Sequence, residues 1–148
     1  FRLKINLTMG VTFCYTMYIM KKQGDNMKLS ELVNEVNQEQ ELSQLCDKLV
    51  ADLTEEHLRQ YPTLTEYSYE YKVSRKYIKV IMNSGNQRSV WGFINKAEWT
   101  KSSGITFKCG DVLMSAGWNT PALNAPRGNL FDGYQITGMR KYGPDYLR

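Results

Sequence analysis

Hydrophobic positions recur at helical spacing from Ser30 to about Tyr61. Leu42, Leu45, Cys46, Leu49, Val50 and Leu53 fall three and four residues apart, which lines them along one side of a helix. Glu39, Glu41, Asp47, Lys48 and Asp52 take the opposite side. Leu29, Leu32, Val33 and Val36 make a shorter stripe of the same kind, with Ser30 placed to cap it. Asn37-Gln38 is the expected break between the two, and Thr54 the cap of a further turn. Tyr61-Pro62 is the stop, because proline disfavours helical geometry in the residue before it. The stripes read as core, and His57, in the polar turn after Thr54, reads as a surface residue.

Past Pro62 the period drops to two. Tyr67, Tyr69 and Tyr71 alternate with Glu66, Ser68, Glu70 and Lys72. Ile78, Val80 and Met82 then share one face of a strand, with Tyr77 and Lys79 on the other. Asn83-Ser84-Gly85-Asn86 has the composition of a hairpin turn. The returning strand, roughly Arg88 to Asn95, sets Val90, Gly92 and Ile94 against Trp91 and Phe93. Ser102-Ser103-Gly104 turns into Ile105–Lys108, and Gly110-Asp111 into Val112-Leu113-Met114. The expected fold is α+β: an N-terminal acidic helix or helix pair packed on an antiparallel β-meander of three to five strands. Small residues, prolines and asparagines dominate from Gly110 to Asp132, so a long ordered C-terminal loop closes the domain, anchored by Trp118, Phe131 and Tyr134.

Composition places 27–148 as a single globular domain able to bury a core without disulfides, at 42% hydrophobic and 23% charged residues over the 148-residue chain. The net charge of +4 is unevenly spread: +3 over residues 1–27, −5 over 28–65 and +6 over 66–148. An acidic helical half beside a basic strand half suits partners of opposite sign, or the two halves complement each other. Cys14, Cys46 and Cys109 are scattered and His57 is the only histidine, so no metal site and no cofactor is expected. Such cysteines fit small core residues in a reducing, intracellular compartment. Phosphate-loop, dinucleotide-glycine, nucleophile-elbow and zinc-protease patterns are all absent from the sequence.

Residues 1–26 form an apolar segment of their own. The uncharged run from Leu7 to Met20, between Arg2/Lys4 and Lys21-Lys22, is diluted by threonines and lacks a small-residue cleavage site. Asn6-Leu7-Thr8 is a formal glycosylation sequon. Two readings stay open: a strand or amphipathic anchor on the domain, or upstream sequence preceding a natural start at Met27. The second is preferred.

The chemistry-bearing residues fall in two sets. In the C-terminal loop, Trp118, Asn124, Arg127, Asn129 and Asp132 make a ligand- or partner-binding set, in which Arg127 offers a planar fork of donors to a carboxylate or phosphate. On the strands, Arg75, Tyr77, Lys79, Arg88 and Trp91, with Phe93, make a basic aromatic face that could stack bases and hold phosphates.

Gly110-Asp111-Val112, the Trp118 to Pro121-Ala122 step, Arg127-Gly128-Asn129-Leu130 and the closing Gly143-Pro144-Asp145-Tyr146-Leu147 resemble small uncharacterised proteins of tailed bacteriophages. Tyr77–Val80 and Ser89–Ile94 add to the likeness, which covers roughly residues 75–147. Trp91-Gly92 stands where that group carries a histidine and an alanine, so no role of that histidine transfers. The resemblance implies a compact accessory protein in a bacterial cytoplasm, and no catalytic residue. The leading expectation is therefore a non-enzymatic protein docking on a host or phage protein, with no membrane involved. A nucleic-acid binder is second, and a small enzyme built on Arg127, Asn129 and Asp132 third.

Overall fold

A single helix, α1 (Leu29–Gln60), spans both stripes. In the computed structural model residues 28–136 and 142–146 are described, so the readings of residues 1–26 and the role of Leu147 lie outside the described residues. Lys28, not Ser30, takes the capping position. Its carbonyl accepts from the amides of Glu31 and Leu32 at 3.0 and 3.2 Å, and its own amide donates to Glu31 Oε2 at 3.3 Å. Asn37-Gln38 does not break the helix, because neither residue costs more than about 0.7 kcal/mol relative to alanine in a helix interior, too little to stop a 32-residue helix. Thr54 starts no new turn either: its hydroxyl donates to the Val50 carbonyl at 2.9 Å inside the continuing helix. The last turn closes on the Tyr61 amide to the His57 carbonyl, one residue before Pro62.

The chain divides into two compact units, Phe1–Glu39 and Gln40–Arg148, the boundary falling within α1. Of the first unit, only Lys28–Glu39 is described, and there Leu29 and Val33 are exposed. The second unit holds the sheet. Strands β1 (Tyr67–Val73), β2 (Tyr77–Ser84), β3 (Gln87–Asn95) and β6 (Val112–Leu113) lie in the order β1-β2-β3-β6, every pair antiparallel. The β2–β3 turn is Gly85-Asn86, where Gly85 takes φ 56°, a left-handed conformation that glycine adopts without strain. Residues 105–108 do not join this meander. Thr106–Phe107 (β5) pairs instead with Trp99–Thr100 (β4) as a separate two-stranded hairpin.

One irregularity governs the faces of the sheet. Val80 pairs with Gly92 and Ile81 with Val90, so Trp91 is an extra residue in β3, a β-bulge. Alternation restarts there. Trp91 joins Tyr69, Ile78, Val80, Ile94 and Val112 in the core under Leu42, Cys46, Leu49 and Leu53 of α1, with Leu130 of the loop completing it. Phe93, expected beside Trp91, lies on the far face with Phe107 and Leu113, covered by Tyr77, Val90, Trp99, Ile105 and Leu123. The sheet thus has apolar cover on both faces. His57 is likewise not a surface residue: it is 1% exposed and its ring lies 4.0 Å from Tyr67 and 5.5 Å from Tyr61, centre to centre. The polar turn seen in the sequence is the solvent side of the last helical turns, and His57 faces inward from it.

Candidate functional site

Arg127 is held by its own surroundings rather than presented. Its Nη1 donates to the Asp145 carbonyl at 2.7 Å, Nη2 to Asn124 Oδ1 at 3.1 Å, and Nε to the Ala125 carbonyl at 3.3 Å. The guanidinium fork therefore clasps the 142–146 segment to the loop. Asn129 performs a second, separate tie. Its Nδ2 donates to the Cys109 carbonyl and to Asp111 Oδ1, both at 2.9 Å, and its Oδ1 accepts the Phe131 amide at 2.8 Å. Asp111 is buried and also accepts the Lys108 amide at 2.7 Å. Asp132 sits exposed in the turn that follows. The structure brings Asn124 and Arg127 together, and leaves Asn129 and Asp132, joined by the Asp132 amide donating to the Asn129 carbonyl at 3.2 Å, in another environment, with no hydrogen bond or ion pair between Arg127 and Asp132 among the described residues.

Trp118, from the same predicted set, stands with the basic strand residues. Lys79 Nζ lies 4.7 Å and the Arg88 guanidinium carbon 5.8 Å from its ring centre. Lys79 also donates to Asn119 Oδ1 at 2.6 Å, and Arg88 donates to Asn83 Oδ1 at 3.1 Å and pairs with Glu70. Of the expected nucleic-acid set, Trp91 is 2% exposed on the helix side and cannot meet a ligand on the far face. Tyr77 is half-buried, packed at the edge of Phe93, and its hydroxyl is pushed above the usual range by burial. Arg75 is exposed in the β1–β2 turn. The basic face exists, but its exposed tryptophan is Trp118 from the loop, not Trp91 from the strand.

Sequence reasoning missed a cleft of about 270 Å³ lined by Val90, Trp91, Met114, Ser115, Tyr142, Gly143, Pro144, Asp145 and Tyr146. Tyr146 and Tyr142 keep 83% and 56% of their surface in solvent on its rim. Gly92 lets Pro144 of the 142–146 segment pack closely on β3: a Cβ there would come within 2.8 Å of the Leu113 carbonyl oxygen and 3.0 Å of Pro144. The unusual Gly-Pro-x-Tyr ending was the one signal in the sequence that pointed here. A second groove of about 390 Å³ is lined by Lys48, Asp52, Glu55, Glu56, Arg59, Gln135 and Ile136, with Lys48 paired to Asp52 at 3.1 Å and Arg59 to Glu56 at 2.7 Å.

No group of three metal-ligating side chains occurs among the described residues, and no described helix is long and apolar enough to cross a membrane. Cys46 is buried in the core, where burial, then the charge of Asp47, pushes its thiol up to about 12. What these features define is a small α+β protein whose polar loop residues are largely turned inward on the fold. The chain belongs to a family of unknown function, DUF7717, whose model matches residues 15–141. No curated protein and no solved structure matches it.

Proposed function

We propose that this is a small non-enzymatic accessory protein of a tailed bacteriophage that docks on a host or phage protein in the bacterial cytoplasm. The observation that carries the reading is the cleft rimmed by Tyr142 and Tyr146. Its volume, about 270 Å³, is below the roughly 300–1,000 Å³ of sites that enclose free small molecules. It suits a single apolar side chain projecting from a partner. Tyrosine is enriched among residues that dominate binding energy, because it offers a large amphipathic surface with few rotatable bonds to immobilise. The lining carries one carboxylate, Asp145, and neither histidine, cysteine nor lysine, so the Ser115 hydroxyl has no imidazole or amine beside it in the cleft to activate it, which favours docking over catalysis. The sequence resemblance to phage proteins supplies the biological setting.

The test is retention of a specific bacterial or phage protein on the immobilised chain at high salt, followed by affinity measurement with that purified protein. Tyr142→Ala/Tyr146→Ala should weaken it by about 2 kcal/mol or more, roughly thirtyfold. A variant that binds as tightly as the parent, or a parent that retains nothing, refutes the cleft as a docking site.

A further inference from the structure

Lys72 and Lys79 stand directly opposite one another on β1 and β2. Their side chains thus leave the sheet on the same far face, where like charges directly opposite are destabilising, and the Lys79 ammonium is turned to Asn119 Oδ1 at 2.6 Å. Among the described residues the ion pairs join Lys48 to Asp52, Arg59 to Glu56 and Arg88 to Glu70, and neither lysine takes part. Cations and aromatic rings alternate beside them. Lys76 Nζ lies 3.6 Å from the Trp99 ring centre at one end, and Lys79 and Arg88 flank Trp118 at the other. From Lys76 to Asn83, the partner of Arg88, the track runs seven residues of near-extended chain, roughly 24 Å at about 3.4 Å per residue. Trp118 keeps 45% of its surface in solvent.

The geometry points to a binding track for single-stranded nucleic acid along this face, separate from the Tyr142/Tyr146 cleft. Lys72 and Lys79 neutralise backbone phosphates, and the open part of the Trp118 indole stacks a base. Trp99 is stacked on Phe107, so the ring open to a ligand is Trp118; an acidic peptide would satisfy the lysines but has no use for that exposed indole, which favours bases over carboxylates. The surplus positive charge of residues 66–148, net +6, supplies the long-range attraction.

The experiment is a titration of the full chain with labelled oligothymidine across a salt series, read by anisotropy and by tryptophan fluorescence. Binding should weaken with salt at a slope of about −0.7 per phosphate neutralised, and Lys72→Gln/Lys79→Gln should flatten that slope by about 1.4. Trp118→Ala should weaken binding roughly five- to hundredfold, with Trp118→Phe recovering much of it. All four substitutions lie on exposed or half-exposed side chains, and far-ultraviolet circular dichroism confirms that each variant is folded. No binding at low salt overturns the proposal. So does binding that Trp118→Ala leaves unchanged, binding equally tight to duplex DNA, or displacement of the oligonucleotide by polyglutamate at matching concentration.

Discussion

Replacing Asn129 separates a fold clasp from a binding residue. Its side chain makes three hydrogen bonds: to the Cys109 carbonyl, to buried Asp111 and from the Phe131 amide. Bonds between neutral groups contribute about 1 kcal/mol each, and one to a charged group about 1.5–3 kcal/mol. Water reaches this half-buried position and recovers part of the loss, so Asn129→Ala should cost about 3 kcal/mol. For a domain near this size each kcal/mol moves the melting temperature by about 2–4 °C, which gives a drop of roughly 6–12 °C by calorimetry. Asn129→Asp keeps the shape and the acceptor for Phe131, but removes both donors and sets a second carboxylate against Asp111. Its loss should match or exceed that of the alanine variant at neutral pH and shrink on acidification, as a protonated carboxyl regains a donor. A melting temperature within about 1 °C of the parent for both variants would refute the clasp and leave Asn129 as the binding residue its chemistry suggested.

Gly92→Ala should destabilise by about 1–3 kcal/mol, because its methyl group meets the Leu113 carbonyl and Pro144; thermal melts report the loss, and limited proteolysis should find residues 142–146 cut sooner. Arg127→Lys keeps the charge but loses the fork that holds Asp145, Ala125 and Asn124, so hydrogen exchange should accelerate in peptides covering 142–146; unchanged protection would contradict the clasp. Burial lifts Cys46 from 9.0 and Tyr69 from 10.0 to about 12. The unfolded chain loses these protons first, so their contribution to stability is complete below about pH 9 and declines as pH rises towards 12. Denaturant midpoints should fall over that window, less steeply in Cys46→Val, and a slope unaltered by that substitution would remove Cys46 as a cause.

The period of hydrophobic residues was enough to place α1, the tyrosine strand and the β2–β3 hairpin, because each is decided by neighbours within one turn or one pleat. Trp91 shows where that stops. Period two holds only while every residue of a strand has a partner, and the bulge opposite Val80/Ile81 is a property of two strands, not one. His57 was misplaced for the related reason that Tyr67 and Tyr69, which cover it, arrive from another element. The loop residues were recognised as unusual, but their chemistry reads the same whether directed at a ligand or at the chain's own carbonyls. Arg127 and Asn129 take the second course, and only the position of Asp145 and Cys109 in space decides it. The Lys72–Lys79 pairing was hidden in the same way, since it exists only once β1 and β2 are in register.

The position of residues 142–146 sets an order of events during synthesis. β6 pairs with β3 only at Phe93 and Ile94, and the stretch of β3 before them is flanked by Gly143 and Pro144. A nascent chain can complete α1 and the β1–β3 hairpins while that flank is still uncovered, an unpaired strand edge of the kind that recruits other chains. The cover arrives only when the ribosome has added residues about fifty positions downstream of β3, and Arg127 must already be in place to receive it. Slow translation between Arg127 and Asp145 would therefore lengthen the interval in which neighbouring copies can aggregate.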